Sequence, residues 1–209
     1  MALTGLFLAF FLIIHLLGNL QLLLPEEEAH IQFNAYSHFL SSLLPIKIVS
    51  YVLYASILYH IFDAAWITFN NWKASDKSYN TDNRAEVSGW ISRNMGILGS
   101  IILIFLVIHF KDYWYVYKFG SLPTDADGNK DLYIIVVESF KVWYYAAGYV
   151  VAILALGLHL IHGVSSAFRT LGVYHPKFIK WIKYIGYAFS VAITIGFVII
   201  PIFIYIKQL

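Results

Sequence analysis

The chain has 209 residues, of which 60% are hydrophobic and only 12% charged. A water-soluble domain carries about 25% charged residues, so most of this chain is built for solvation by lipid. The net charge of +2 is too small to argue for a nucleic-acid partner, and the absence of cysteine excludes disulfides, cysteine-ligated iron–sulfur clusters and C-x-x-C-H haem attachment in this chain.

A bilayer core about 30 Å thick takes roughly 20 apolar residues of helix. Residues 3–24 form the first such run, run I, which carries His15 and closes at Pro25. It lacks a basic leader region and a small-residue cleavage site, so it reads as a span rather than a cleavable signal peptide. The next segment, "PEEEAHIQFNAYSHFLSSLLP", has spaced apolar residues and predicts a short helix lying on the membrane surface. Pro45 opens run II (45–69), which holds His60 and Asp63. Run III (94–117) holds His109, and run IV (140–171) holds His159 and His162. Run V (184–206) has no histidine, and Pro201 should kink it without abolishing it. Aromatic residues make up 18% of the chain, with six Trp, many of them near run ends where interfacial belts lie.

The connecting segments set an expected orientation. Lys73, Lys77, Arg84 and Arg93 lie between runs II and III, and Arg169, Lys177, Lys180 and Lys183 between runs IV and V. The segment between I and II carries Glu26, Glu27 and Glu28. The segment between III and IV mixes Asp112, Asp125, Asp127, Asp131 and Glu138 with Lys111, Lys118, Lys130 and Lys141. Basic residues gather on the cytoplasmic side, so the N-terminus is expected there. Segments outside the runs reach roughly 25 residues, short of a folding domain. The chain therefore reads as one all-α transmembrane domain, 1–209, with no phosphate-binding glycine loop and no internal repeat.

Of the eight histidines, His15, His60, His109 and His159 fall one on each of runs I to IV. At 1.5 Å of rise per residue, His15 and His109 both lie roughly 12–14 Å below the outer surface, while His60 and His159 both lie in the inner half. A four-helix bundle with side chains directed inward at facing positions makes cofactor sites in this way. Two imidazoles on opposite faces of one iron make a six-coordinate b-type haem, which carries electrons rather than binding oxygen. The bland alternative is that each histidine is a hydrogen-bonded packing residue. A metal-hydroxylase reading of the His159-x-x-His162 box lacks a second box, and Asp63 is the one acid well inside a span.

Several stretches together resemble a known family: "ALTGLFLAFFLIIHLLGNL" (2–20), "FNAYSHFL" (33–40), "SRNMG" (92–96), "HFKDYW" (109–114) and "HLIHGVSSAFRTLG" (159–172). The chain is similar in these to the cytochrome b subunit of succinate dehydrogenase and fumarate reductase, the single-chain, two-haem membrane anchor of the b558 type. The resemblance implies five transmembrane helices, with helices I to IV an antiparallel bundle around two haem b groups. It implies iron ligation by His15 with His109 (outer haem) and by His60 with His159 (inner haem). On run IV the family pattern is a histidine followed four residues later by glycine, which His159 and Gly163 match and His162 does not.

The resemblance further implies flavoprotein and iron–sulfur partner subunits, carrying FAD and the clusters, on the cytoplasmic face of a bacterial inner membrane. The membrane quinone would be a substrate and is often menaquinone in this family. The chain itself is then the membrane subunit of a respiratory enzyme that belongs to the tricarboxylic acid cycle, with no dicarboxylate site of its own. Whether the complex forms a higher oligomer is left open.

Supporting groups follow from chemistry. Propionates drawn into a membrane edge need cationic or hydroxyl partners, and Ser92, Arg93, Asn94, Ser166, Arg169 and Thr170 lie near the inner haem's depth. Arg93 and Arg169 would serve equally as snorkelling anchors. His162 is about 60° round the helix from His159; it would bond a propionate or a quinone carbonyl, or simply a backbone carbonyl. Asn19, Gln21, His30, Asn34 and His38 are outer quinone candidates, and Ser92, Arg93, Asp63 and His162 inner ones. Gly5, Gly18, Gly96, Gly99 and Gly163 would leave room for a macrocycle or for close helix packing. Two other classes stay open: a bis-histidine cytochrome of another complex, such as a nitrate reductase or hydrogenase, and a haem-free transporter or scaffold.

Overall fold

The computed structural model describes residues 1–74, 88–173 and 175–208. Lys77 and Arg84, two of the basic loop charges, lie outside the described residues. Helix α1 runs Ala2–Asn19 and ends in a tighter turn, Leu20–Leu23. Pro25, whose fixed φ suits a helix start, then turns the chain into α2, Glu26–Ser42. Three glutamates in the first turn of α2 face the positive end of its dipole. Helix α3 is Leu44–Ala74. After a one-turn helix at Trp90–Arg93 comes α4, Met95–Phe119, which widens to π-helical turns at Phe110–Tyr115. Helix α5 is Leu132–Phe140, α6 is Trp143–Thr170 and α7 is Pro176–Lys207. There is no strand among the described residues, only a bridge between Thr124 and Lys130.

Helices α1, α3, α4, α6 and α7 are long and apolar enough to cross a membrane, and the chain is an all-α, multi-pass membrane protein. They alternate in direction. Gly5 of α1 meets His60 of α3, while His15 meets His109 of α4. Gly96, early in α4, meets Thr68, late in α3. Trp114, late in α4, donates to the Tyr54 hydroxyl at 2.7 Å. One end of the bundle thus carries α2 and α5, the α2 end; the other carries Arg93 and Arg169, the basic end.

Three boundaries differ from the predicted runs. Helix α3 continues past 69 to Ala74, with Asn70, Asn71 and Lys73 carrying the helix out of the hydrocarbon. Helix α7 begins at Pro176, not near 184, because "PKFIKWIK" continues the helix with lysines that reach out of the hydrocarbon. Helix α6 begins at Trp143, after a break at Lys141 and Val142, and the apolar residues before that break belong to the separate α5. At nine residues α5 is too short to span, and its start is fixed by Asp131, which accepts from the Ile134 N–H at 3.3 Å.

Helix α6 is central, packed on α1, α4 and α7. Its seam with α7 uses small residues. A Cβ on Gly157 would collide with Thr194, and one on Gly186 would meet Val164 at 3.2 Å, so the backbones approach closely. Pro201 is buried inside α7, which stays helical to Lys207. The larger apolar core lies at the α2 end, around Phe33, Tyr113, Phe140, Tyr149 and Ile204. A smaller one, Ala9, Leu160, Val164 and Ile193, lies toward the basic end.

Candidate metal centres between the helices

Enclosed chiefly by α1, α3, α4 and α6 is a cavity of about 2210 Å³. Ordinary ligand pockets measure about 300–1,000 Å³, and close-packed interiors hold few voids larger than a water molecule. The wall of this cavity is mostly apolar, with Ile, Leu and Phe its commonest residues, and His15, His60, His109 and His159 all line it.

The four rings meet in two pairs. His15 and His109 have ring centres 5.7 Å apart with planes at 86°, and His60 and His159 lie 6.4 Å apart at 66°. Two imidazoles on opposite sides of one metal, each bonded at about 2 Å, place their ring centres roughly 6 Å apart. The levels can be measured on two helices. On α6, Tyr149 touches His109 and the inner ligand candidate His159 lies ten residues on; on α1, Gly5 touches His60 and His15 lies ten residues on. Both give a separation of about 15 Å along the axis.

At the α2 end, aromatic rings fix the imidazoles. Phe11 stacks on His15 at 5.2 Å, Phe105 on His109 at 5.5 Å, and Phe197 tilts against His15 at 5.6 Å. The Tyr149 hydroxyl is 3.4 Å from His109 Nδ1. The Asn19 amide donates to the His15 carbonyl at 2.8 Å, and the same nitrogen lies 3.5 Å from Nδ1, where as a donor it cannot accept a ring proton.

At the basic end, the Thr4 hydroxyl donates to the Met1 carbonyl at 3.0 Å and lies 3.2 Å from His60 Nδ1. Its one proton is committed, so its oxygen accepts from Nδ1–H, and Nε2 of His60 keeps its lone pair. His159 Nδ1 is buried with no hydrogen-bond partner. Among the described residues, no hydrogen bond engages Nε2 of His15, His109 or His159.

The donor set tests whether a metalloporphyrin fits. Each pair offers two neutral nitrogen ligands, and among the described residues no group of three or more His, Cys, Asp or Glu could hold an ion unaided. A metal at either level would need its other ligands from a flat, largely apolar group, and walls of that character are present. Gly99 and Gly163 line the cavity with nothing within 4 Å of an added Cβ, so both leave free space along its wall. Gly5 presses on His60, Gly18 on Tyr36 and Gly96 on Thr68. The residues fit two haems.

The remaining candidates separate by position. Ser92, Arg93, His162, Ser166 and Thr170 line the cavity toward the basic end. Asn94 instead bonds the Trp90 carbonyl at 2.8 Å, and neither it nor Arg169 is on the cavity wall. Arg93 also bonds the Ser88 carbonyl. Asp63 pairs with the Met1 amino nitrogen at 2.6 Å.

Of the outer quinone candidates, only Asn19 lines the cavity. His30 and Asn34 are engaged elsewhere: His30 Nε2 is 2.8 Å from Asp131 Oδ2, and the Asn34 amide donates to Asp131 Oδ1 at 2.9 Å and accepts from Tyr133 N–H at 3.0 Å. These two residues fasten α2 to the start of α5. Gln21 has a buried, unpartnered Oε1 away from the cavity, and His38 is exposed at the surface.

Thr4, Phe11, Tyr113, Tyr145 and Tyr149 were not among the sequence candidates. Tyr145 and Tyr149 lie four apart inside an apolar run, and a buried tyrosine hydroxyl normally finds a partner. That spacing, two hydroxyl-bearing rings one turn apart, was the available signal. No protein-family model, curated protein or solved structure matches the chain.

Proposed function

We propose that this chain is the dihaem cytochrome b membrane anchor of a succinate:quinone oxidoreductase, either a succinate dehydrogenase or a fumarate reductase. It would pass electrons between an iron–sulfur partner and membrane quinone. The observation that carries the cytochrome reading is the meeting of four span histidines as two pairs, 5.7 and 6.4 Å between ring centres, on one apolar cavity. Membership of a succinate-linked complex is supported by the resembling stretches on the helices of His15, His109 and His159 and on α2.

A six-coordinate haem, when bound, supplies one-electron transfer. The protein's own part is to hold and tune. His15 and His109 would hold one iron, and His60 and His159 the other. Thr4 fixes the His60 tautomer through Nδ1, the outer-shell orientation that metal-bound imidazoles need. The Leu, Ile and Phe walls keep water away and so influence the potential. Ser92, Arg93, Ser166 and Thr170 stand where propionates at the basic end would need donors.

The basic end would be cytoplasmic, in a bacterial inner membrane, and would receive the iron–sulfur and flavoprotein subunits. Membrane quinone, menaquinone by the resemblance, would be the redox partner, with its head group toward the α2 end, where Asn19 is on the wall.

The test is haem content and partners. Purified protein should hold two haems per chain, with a reduced-minus-oxidised spectrum of b type, and should carry a flavoprotein and an iron–sulfur protein that oxidise succinate or reduce fumarate. A spectrum without a haem band ends the cytochrome reading. Two haems with nitrate reductase or hydrogenase partners would move the chain to another respiratory complex.

A further inference from the structure

The Nδ1 side of His109 opens on a line of hydroxyls that no function above uses. Tyr149 lies 3.4 Å from His109 Nδ1, Tyr145 lies 3.2 Å from the Tyr149 hydroxyl, and Tyr145 donates to Asp112 Oδ2 at 3.0 Å. The line ends at the surface, where Lys111 pairs with Asp112 Oδ1 at 3.2 Å. Tyr149 is buried, at 7% exposure, and its ring is stacked on Tyr145 at 4.8 Å and set edge-on to Phe140 at 5.0 Å and Phe105 at 4.9 Å. Its hydroxyl has little freedom to swing away from His109.

The direction of these bonds follows from proton counting. The Tyr145 proton has two acceptors in reach, and an ionised carboxylate is the stronger. Tyr149 then gives its own proton to the Tyr145 oxygen, which leaves the Tyr149 oxygen as an acceptor for His109. A neutral imidazole that binds iron through Nε2 carries its proton on Nδ1, and that proton points to Tyr149. The π-helical turns at Phe110–Tyr115 fall on the residues that bring Asp112 into this line, as such insertions often do at functional sites. The other three histidines have no such line: His60 Nδ1 meets a single threonine, His15 Nδ1 faces only the donor nitrogen of Asn19, and His159 Nδ1 has no partner.

We propose that Tyr149, held by Tyr145 and Asp112, is the positioning residue for His109. It accepts from Nδ1–H, orients the ring, and makes His109 a more basic ligand than the other three. This rests on the reading of His15 and His109 as ligands of one haem. A more basic imidazole favours the oxidised iron, so losing the acceptor should raise the potential of that haem alone.

The experiment is a redox titration of the intact wild-type protein with Tyr149→Phe and Tyr145→Phe, with haem content measured on each sample. Tyr149→Phe should keep two haems and shift the reduction equilibrium of one about tenfold toward the reduced form, about 59 mV for a one-electron couple. The shifted haem should be the one retained when the change is repeated in His159→Ala. Tyr145→Phe, which does not touch His109, should move the same haem the same way by less. Two retained haems with both potentials unmoved overturn the proposal and leave the cytochrome reading standing. Wild-type protein without haem ends both. If Tyr149→Phe loses a haem, Tyr145→Phe decides, and an unmoved potential there overturns the proposal.

Discussion

The two ends of the bundle hold similar histidine pairs in dissimilar surroundings. At the α2 end the rings are 5.7 Å apart, wedged by Phe11, Phe105 and Phe197, and backed by the larger apolar core. That end is closed by α2 and α5, joined through buried Asp131 and Asn34. At the basic end the rings are 6.4 Å apart, one Nδ1 rests on Thr4 and the other has no partner, and serine, threonine and arginine side chains stand on the wall nearby. The α2 end also has polar wall residues, Ser37, Ser41, Lys47, Ser50 and Lys118, beneath its two covering helices. Among the described residues the basic end has the smaller core, and the proposed soluble partners would dock there. The difference teaches that a shared ligand type does not set equal chemistry, since the outer shell and the enclosure differ.

The largest expected effect comes from removing a ligand at one end only. His159→Ala should lower haem content from two per chain to one, and His15→Ala should do the same while sparing the opposite level. The retained haem should differ between the two variants in its spectrum or potential, as measured by redox titration of each. If either change empties both levels, or if both variants keep the same haem, the division into two independent ends fails.

Much of this arrangement was legible in the sequence, because hydrophobic length and helical rise are one-dimensional properties. Five spans follow from apolar run length, and the depth of His15, His60, His109 and His159 follows from counting 1.5 Å per residue. The structure brings together the same couples that depth had matched. Rotation about each helix axis was not legible, because it depends on which helices pack together. That is why Asn94 was counted with the propionate groups although it caps its own turn, and why His30 and Asn34 were counted with the quinone groups although both face Asp131. The pairing of α2 with α5 joins residues 97 and 101 positions apart, and no local pattern announces it.

Asn34 separates the α2 end from the ligand chemistry. It is fully buried, and it satisfies both an Asp131 oxygen and the Tyr133 N–H. Asn34→Ala leaves those buried groups unpaired and should cost about 1–3 kcal/mol, read as a lower midpoint in thermal unfolding in detergent. Haem content in the folded fraction should stay at two, because Asn34 is not on the cavity wall. Loss of one haem at unchanged stability would mean that the α2 end is part of the cofactor site rather than its lid.

A smaller effect is expected from Gly5→Ala. The new Cβ would stand 3.3 Å from His60 Cε1, so the ring must yield by a few tenths of an ångström. His60 is held through Nδ1 by Thr4, one residue before Gly5. The basic-end haem should therefore show a changed potential or a faster loss on dilution, with the α2-end haem unaltered. Equal changes at both levels would show that the helices shift as one body and that the ends are not independent.

The smallest effect belongs to His162. It shares the cavity wall with His159, three residues earlier, but makes no ring contact with His60 or His159 among the described residues. A histidine about 60° round the helix and one turn further along is badly placed to reach the same metal on its axis. His162→Ala should leave both haems in place, and its consequence should be confined to the basic end, as a small change in that haem's potential if the ring bonds a propionate and none if it does not. Loss of the basic-end haem in His162→Ala, with retention in His159→Ala, would exchange the two residues' roles. It would also mean that α6 presents a different face to the cavity than the 6.4 Å approach of His60 and His159 indicates.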